Sequence, residues 1–398
     1  MAGLRRHVGG AIYREDMRIL HTSDWHIGRT FHGHATLDAL RDVLGALVAQ
    51  VRENDVDLVL VAGDVFDSPT PSADCYTLLT DTLVALRDTG ARVVVTSGNH
   101  DSAARLGFQS RLLRDGIHVL TDPRHVDVPV TVTDADGPVH VYGIPFLEPA
   151  LLRHEWPGVR TQEAAMTHAM GLVTADLAER GGRSVVMAHC FAAGVEPTPQ
   201  LERDIQQGGL DVVPLAVFAG VDYAALGHIH GRQRLGERVH YCGAPLHYSF
   251  GEGDKPRGSW LVELDATGAV ATTWLELPVP RPLVTLRAPM DELLTDPRFD
   301  AHQGAWVQAE YTDTLPQREA MRRLQQRFPH CAVVVHAPAE RATGDGRSYA
   351  DRVRAARSDS ELVEAFLVHV RQGEGASDRE RDLMTAMLDD RVIAQARA

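Results

Sequence analysis

The chain has 398 residues, a formal net charge of −14 and 44% hydrophobic residues, the make-up of a folded protein too long for one ordinary domain. No apolar run nears the ~20 residues a membrane-crossing helix needs, and the acidic balance argues against unaided tight binding of DNA, which usually takes a basic field. Cys75, Cys190, Cys242 and Cys331 are scattered without a CxxC pair, which points to a reducing, cytoplasmic setting and away from a zinc knuckle or disulfide scaffold.

Residues 1–16 match nothing downstream and read as a disordered tail or an over-extension, since the first strand starts at Met17. Arg5, Arg6 and His7 precede no apolar stretch, so the start makes a poor signal peptide. From Met17 to Leu277 strands and helices alternate. Arg18-Ile19-Leu20, Leu58-Val59-Leu60-Val61, Val93-Val94-Val95, Val185-Val186-Met187 and Ala224-Ala225-Leu226 read as buried strands. Residues 36–52 carry a helical stripe of Leu37, Leu40, Val43, Leu44, Leu47 and Val51, and 72–88 behave alike. Short strands follow at 126–132 and 140–143, a helix at 161–180, and late strands near 238–242, 259–264 and 270–276. Pro278-Val279-Pro280-Arg281-Pro282 is a stiff linker and a domain boundary. A β-α-β-α-β pattern occupies 283–337, with helices expected at 290–295 and 316–328. Residues 338–357 are polar and Arg-rich and read as a second linker. Ser358-Asp359-Ser360-Glu361 and Ser377-Asp378-Arg379-Glu380 are capping boxes that open two helices over 358–398, each with a narrow apolar stripe.

Every buried strand of the first region is followed by a polar block: Asp24-Trp25-His26, Gly63-Asp64, Ser97-Gly98-Asn99-His100-Asp101, Ala188-His189-Cys190 and Gly227-His228-Ile229-His230. Ligands of open α/β sheets sit at that carboxyl edge. Asp, Asn and His without thiolate suit manganese, iron or zinc. Two divalent ions bridged by an Asp can clamp a phosphoryl group and activate water. Turn-forming Gly and Asn with satisfied core histidines would account for any single block, but not for five in order, each after a strand.

The ordered set resembles the calcineurin-like metallophosphoesterases and, within them, the SbcD-like nuclease subunits. Met17-Arg18-Ile19-Leu20-His21-Thr22-Ser23-Asp24-Trp25-His26-Ile27-Gly28, Gly63-Asp64-Val65-Phe66-Asp67, Gly143-Ile144-Pro145-Phe146, Tyr241-Cys242-Gly243-Ala244-Pro245-Leu246 and Ser249-Phe250-Gly251-Glu252 carry that likeness. It implies an α/β fold: a four-layer sandwich of two sheets flanked by helices over 17–277, a small α/β capping domain over 283–337 and a C-terminal helical hairpin over 358–398. It implies two divalent metals, with Mn2+ expected. Asp24, His26 and His230 would hold one, Asn99, His189 and His228 the other, and Asp64 would bridge. His100 is the expected non-ligand catalytic residue. Asp101 either orients His100 or serves as a turn or helix-cap residue. Archaeal and eukaryotic relatives carry a second His three residues after the bridging Asp; Asp67 stands there instead.

The likeness further implies ATP-dependent 3′-to-5′ exonuclease action on duplex ends and endonuclease action on single strands and hairpins, in DNA repair and recombination. The implied partner is the SMC-like ATPase SbcC, contacted through the hairpin in a heterotetramer of two chains of each kind. Arg29, His32, Lys255 and Arg257 are candidate DNA contacts. A small-molecule phosphodiesterase acting on nucleotides or cyclic nucleotides would explain the acidic charge but not residues 283–398. A non-catalytic scaffold fits poorly with an intact Asn99-His100-Asp101.

Overall fold

The computed structural model describes residues 5–8, 11–14, 16–113, 116–193, 212–338, 349–371 and 375–396. The chain separates into two compact units, Met1–Pro282 and Leu283–Ala398.

In the first unit, alternation along each strand explains the layering. Leu58 and Leu60 enter one apolar cluster while Val59 and Val61 enter another. Val185 and Met187 part from Val186 and Ala188 in the same way, as Tyr223 and Ala225 do from Ala224 and Leu226. Successive side chains leave a strand on opposite faces, so strands apolar on both must be covered on both. Two six-stranded sheets result. One runs Val270–Glu276, Gly258–Leu264, Met17–Thr22, Leu58–Ala62, Arg92–Thr96, Ile117–Leu120; its last four strands are parallel. The other runs Gln233–Arg234, Val239–Tyr241, Tyr223–Gly227, Arg183–His189, Gly137–Gly143, Val130–Asp134, with a parallel centre. Met17, Ile19, Val94, Val141, Trp260 and Val262 belong to the cluster between the sheets. Helices Leu37–Glu53 and Ala73–Arg87 cover the outer face of the first sheet, and Gln162–Arg180 covers that of the second. The result is four layers, helix on sheet on sheet on helix.

Local chemistry sets several ends. The Thr161 hydroxyl accepts from Ala164 N–H at 3.1 Å and starts its helix; Gly181, at φ 67°, stops it. The strand expected at 126–132 begins only at Val130. Pro123 opens a 3-10 turn, and Pro129, which has no N–H, cannot join the ladder. The reading of 1–16 as disordered also needs correction. Arg5–Val8 pairs antiparallel with Ala11–Arg14, and Gly9-Gly10 between β-forming residues is a hairpin signal that the sequence reading passed over. Residues 1–4, 9, 10 and 15 lie outside the described residues.

The second unit holds a three-stranded parallel sheet, Leu283–Ala288, Trp306–Tyr311 and Cys331–His336, with helices Met290–Thr295 and Ala320–Arg327. Leu286, Met290, Leu293, Val307, Leu324 and Phe328 form its core. The helix expected from 316 starts at Ala320, because Glu319 sits at φ 50°. The expected linker 338–357 also needs correction. Residues 339–348 lie outside the described residues, but Tyr349–Ala355 is a helix rich in Ala and Arg. Its Tyr349 ring stacks on His369 with centroids 4.4 Å apart. Helices Asp359–Val370 and Asp378–Ala396 follow. Ser358 Oγ accepts from Glu361 N–H at 3.2 Å. Glu380 accepts from Ser377 N–H at 2.8 Å, and Ser377 Oγ accepts from Glu380 N–H at 3.4 Å. Leu362, Phe366, Val370, Leu383 and Met387 stay exposed.

Candidate metal centre

The polar blocks meet at the carboxyl ends of the parallel strands in the first unit. The backbone there is unusual: Asp24 (φ 53°), His26 (φ 45°), Asp64 (φ 47°) and His228 (φ 102°) all lie in the left-handed region. Non-glycine residues adopt it at a cost and cluster in it at functional sites. Tight loop-to-loop hydrogen bonds hold them. Asp24 N–H donates to Gly63 O at 3.1 Å, His26 N–H to Asp64 O at 2.9 Å and Ile27 N–H to Val65 O at 2.9 Å. His228 N–H donates to Asp24 Oδ1 at 2.9 Å, and the Ser23 hydroxyl donates to Asp24 Oδ2. Gly98 is required by space: a Cβ there would fall on the Asp64 carboxylate.

Seven side chains converge. Asp24, His26 and His230 offer donor atoms within 4.8 Å of one another, as do Asp64, His189 and His228. Asp64 Oδ2 lies between the groups, 3.6 Å from His26 Nε2 and 3.2 Å from His189 Nε2. Asn99 Oδ1 stands 3.1 Å from His189 Nε2 and 3.0 Å from His228 Nδ1.

The arrangement fits cations. His26 Nε2 and His230 Nε2 are 3.0 Å apart. The other ring nitrogen of His26 faces Asp67 Oδ1 at 3.3 Å, and that of His230 faces Glu252 Oε1 at 3.4 Å. Neither Nδ1 completes a hydrogen bond to its carboxylate; the paired Nε2 atoms share a proton in one tautomer, and with both Nδ1 protonated they turn two lone pairs toward a common point that suits a cation. His189 repeats the pattern: Nδ1 lies 3.0 Å from Ala62 O, which leaves Nε2 facing Asn99 and Asp64 oxygens. Imidazoles oriented by a carboxylate or carbonyl on the far nitrogen are the usual design of metal sites.

Electrostatics agree. Burial pushes His26 and His228 down to about 3, so both are neutral donors at any physiological pH. Burial also works against charge on His189, but Asp64 and Asp24 outweigh it and raise His189 to about 9. Burial would raise Asp64, yet His189, His26 and His100 hold it well below the carboxylate range. Burial raises Asp24. The metal-free cluster thus keeps a proton on His189 that a cation must displace.

His100 also offers a donor atom within 4.8 Å of those of His26 and Asp64, but unlike those two buried residues it reaches solvent. Its side chain is 38% exposed, its N–H donates to Asp64 Oδ1 at 2.9 Å, and its ring meets the His26 ring edge-on at 4.8 Å. Asp101 does not orient it. The Asp101 carboxylate accepts from the N–H groups of Val65 (3.0 Å), Phe66 (2.8 Å) and Gly98 (2.9 Å), pinning the Asp64 loop to the Asn99 turn. Burial and then Asp64 raise it to about 6. Asp67 takes the place beside His100: His100 Nδ1 lies 3.1 Å from its carbonyl and 3.8 Å from Oδ1.

The expected DNA contacts divide. Arg257 is buried, donates to His230 O at 2.6 Å and pairs with Glu252 at 3.2 Å, so it braces the His230 loop and does not face solvent. Arg29 pairs with Asp67 at 3.2 Å and lies over the Tyr248 ring at 5.0 Å. His32 is exposed beside Phe31 and Phe250, and Lys255 is half-buried near Gly231. Glu252 carries a role the sequence reading missed. Its only signal was a place in a family-like stretch, because its partners His230 and Arg257 are set by folding.

Residues 17–232 match the family model for the calcineurin-like phosphoesterases. The chain belongs to that family. Its residues 279–371 match a second model, described as the type 5 capsule protein repressor C-terminal domain. Among curated members it is similar to the SbcD component of nuclease SbcCD from Rhodobacter capsulatus, 36% identical over 307 residues, covering 70% of this chain and 74% of that one. The protein of the same name from Escherichia coli K12 is 32% identical, covering 68% of this chain and 71% of that one. The Bacillus subtilis protein is 32% identical over 79% and 84%. No helix among the described residues of this phosphoesterase is long and apolar enough to cross a membrane.

Proposed function

We propose that the chain is a two-metal phosphodiester hydrolase acting on DNA, the nuclease component of an SbcCD-type complex. The observation that carries this reading is the convergence of Asp24, His26, Asp64, Asn99, His189, His228 and His230 at one sheet edge, with histidine ring nitrogens facing one another and the Asn99 oxygen. Asp24, His26 and His230 would hold one cation, Asn99, His189 and His228 the other, and Asp64 would contact both. Manganese is the expected ion, since the donor set is oxygen and imidazole without thiolate. Two divalent cations supply Lewis acidity toward the phosphoryl oxygens and toward water near neutral pH.

The chain's own residues do the rest. Asp67, Glu252 and the Ala62 carbonyl set the imidazole rings so that the correct nitrogen points inward. Asp101 fixes the Asn99 turn against the Asp64 loop. His100, at the solvent side, is placed to donate a proton to the leaving oxygen or to stabilise the charged transition state. Residues 283–337 would cap the nuclease, and the exposed apolar stripes of 358–398 would dock on the coiled-coil base of SbcC. The relatives' shared name supports that partner. A heterotetramer and a cytoplasmic site of action belong to the same proposal. A partner's basic surface would offset the net charge of −14.

The test uses purified chain stripped with EDTA and reloaded with Mn2+, offered linear duplex, hairpin DNA and bis-p-nitrophenyl phosphate. Mn2+-dependent cleavage of DNA is expected. Cleavage of the small diester alone would leave a small-molecule phosphodiesterase; cleavage of nothing would sink the enzyme reading.

A further inference from the structure

Asp24 is held at both of its carboxylate oxygens. Oδ1 accepts from His228 N–H at 2.9 Å, and Oδ2 accepts from the Ser23 hydroxyl. Ser23 Oγ in turn lies 3.0 Å from Cys242 Sγ. Asp24, Ser23 and Cys242 are all buried, so water does not compete for these contacts. The hydrogens have one consistent arrangement once Asp24 is ionised, as the ligand of a cation must be. A carboxylate only accepts, so the Ser23 proton points to it. The thiol then donates to Ser23 Oγ, because two bare acceptors would repel at that distance. Burial pushes the Cys242 thiol up, which keeps its proton on sulfur. Sγ also lies 3.4 Å from Gly243 O, a longer second contact for the same proton.

Both ends of this chain of hydrogen bonds are anchored. Ser23 follows strand Met17–Thr22 of one sheet, and Cys242 follows Val239–Tyr241 of the other. The Gly227 backbone packs so closely on Ser23 that a Cβ added there would fall 3.0 Å from the Ser23 Cβ. Tyr241 O accepts from Trp260 Nε1 at 3.0 Å. Ala244 N–H donates to His230 O at 3.2 Å, which ties the Cys242 loop to a second candidate ligand of the same cation. We infer that Ser23 and Cys242 are positioning residues for the cation of Asp24, His26 and His230: they fix the rotation of the Asp24 carboxylate and so set how tightly that one cation is held. The inference rests on the two-metal reading above. A carboxylate turns easily about its last torsion, which has no sharp minima. The His228 N–H alone leaves its plane free to swing, and the Ser23 hydroxyl on the other oxygen stops it. Groups that orient a ligating carboxylate matter to affinity nearly as much as the ligand itself.

Titration of the full EDTA-stripped chain with Mn2+ tests it, with calorimetry for affinity and electron paramagnetic resonance to count the free ion. The unaltered chain should bind two ions. Ser23→Ala should weaken one of them by about 10- to 100-fold and leave the other unchanged. Cys242→Ala should weaken the same ion by less, and Cys242→Ser, which restores a hydroxyl donor, should recover it. The melting temperature of each metal-free variant separates this role from packing. Two ions held by Ser23→Ala with unchanged affinity overturn the inference and leave the metal centre standing. Equal loss at both ions, with a lower metal-free melting temperature, also overturns it and makes Ser23 a packing residue. Cys242→Ser as weak as Cys242→Ala removes Cys242 from the chain of hydrogen bonds. Failure of the unaltered chain to bind two Mn2+ overturns both this inference and the reading beneath it.

Discussion

Metal binding should report the proton held on His189. In the metal-free chain the neighbouring carboxylates, against burial, raise that group to about 9, where an ordinary histidine sits near 6.5. Ligation needs its Nε2 lone pair, so a cation must displace the proton. At pH 7 this lies about two units below the pKa and costs about 3 kcal/mol, at 1.36 kcal/mol per unit. Each unit of pH gained below 9 should therefore tighten Mn2+ binding about tenfold. His26 and His228, already neutral because burial holds them near 3, add no slope. The dissociation constant should thus fall with a slope of about one proton between pH 7 and 8.5, not one per histidine. Calorimetry in buffers of different ionisation enthalpy counts that proton directly. The sign reverses for the metal-free fold. A group raised above its unfolded value stabilises fully below 6.5 and loses that stabilisation as pH rises toward 9. The melting temperature without metal should drop across that window. A dissociation constant unchanged between pH 7 and 8.5, or release of three protons, would refute this account of the Asp64–His189 pair.

His100→Ala should keep both metals, since the seven other donors remain in place and His100, though near His26 and Asp64, is 38% exposed, and should lose cleavage by about 10²- to 10⁴-fold, the worth of one general acid or base. A metal assay finding one ion missing would make His100 a ligand. Glu252→Ala leaves the buried Arg257 guanidinium without its carboxylate and should destabilise the chain by about 3–5 kcal/mol; an unchanged urea midpoint would show the pair to be dispensable. Truncation after Arg357 should leave Mn2+-dependent cleavage of single strands intact and abolish co-purification with SbcC and ATP-stimulated digestion of duplex ends. Full-affinity binding of SbcC by the truncated chain would reduce the hairpin to a packing element.

Local sequence decided the strands, their order of polar blocks and the helices with broad stripes, because period-2 and period-3.6 patterns act over a few residues. Both faces of Leu58–Ala62 are apolar in the sequence alone, and a strand of that kind has to be sandwiched. The blocks at the strand ends named the converging donors for the same reason: each follows its own strand immediately. What the sequence left open were the partners of those donors. Asp67 beside His26 and His100, Glu252 behind His230, and Asp101 on three backbone N–H groups join residues that different loops supply. By sequence, Arg257 is expected to meet DNA. It is buried instead, because folding brings the His230 and Ala244 carbonyls and the Glu252 carboxylate around its guanidinium. Patterns along the chain specify which groups reach the sheet edge; burial and distance, which exist only after folding, specify what each group does there.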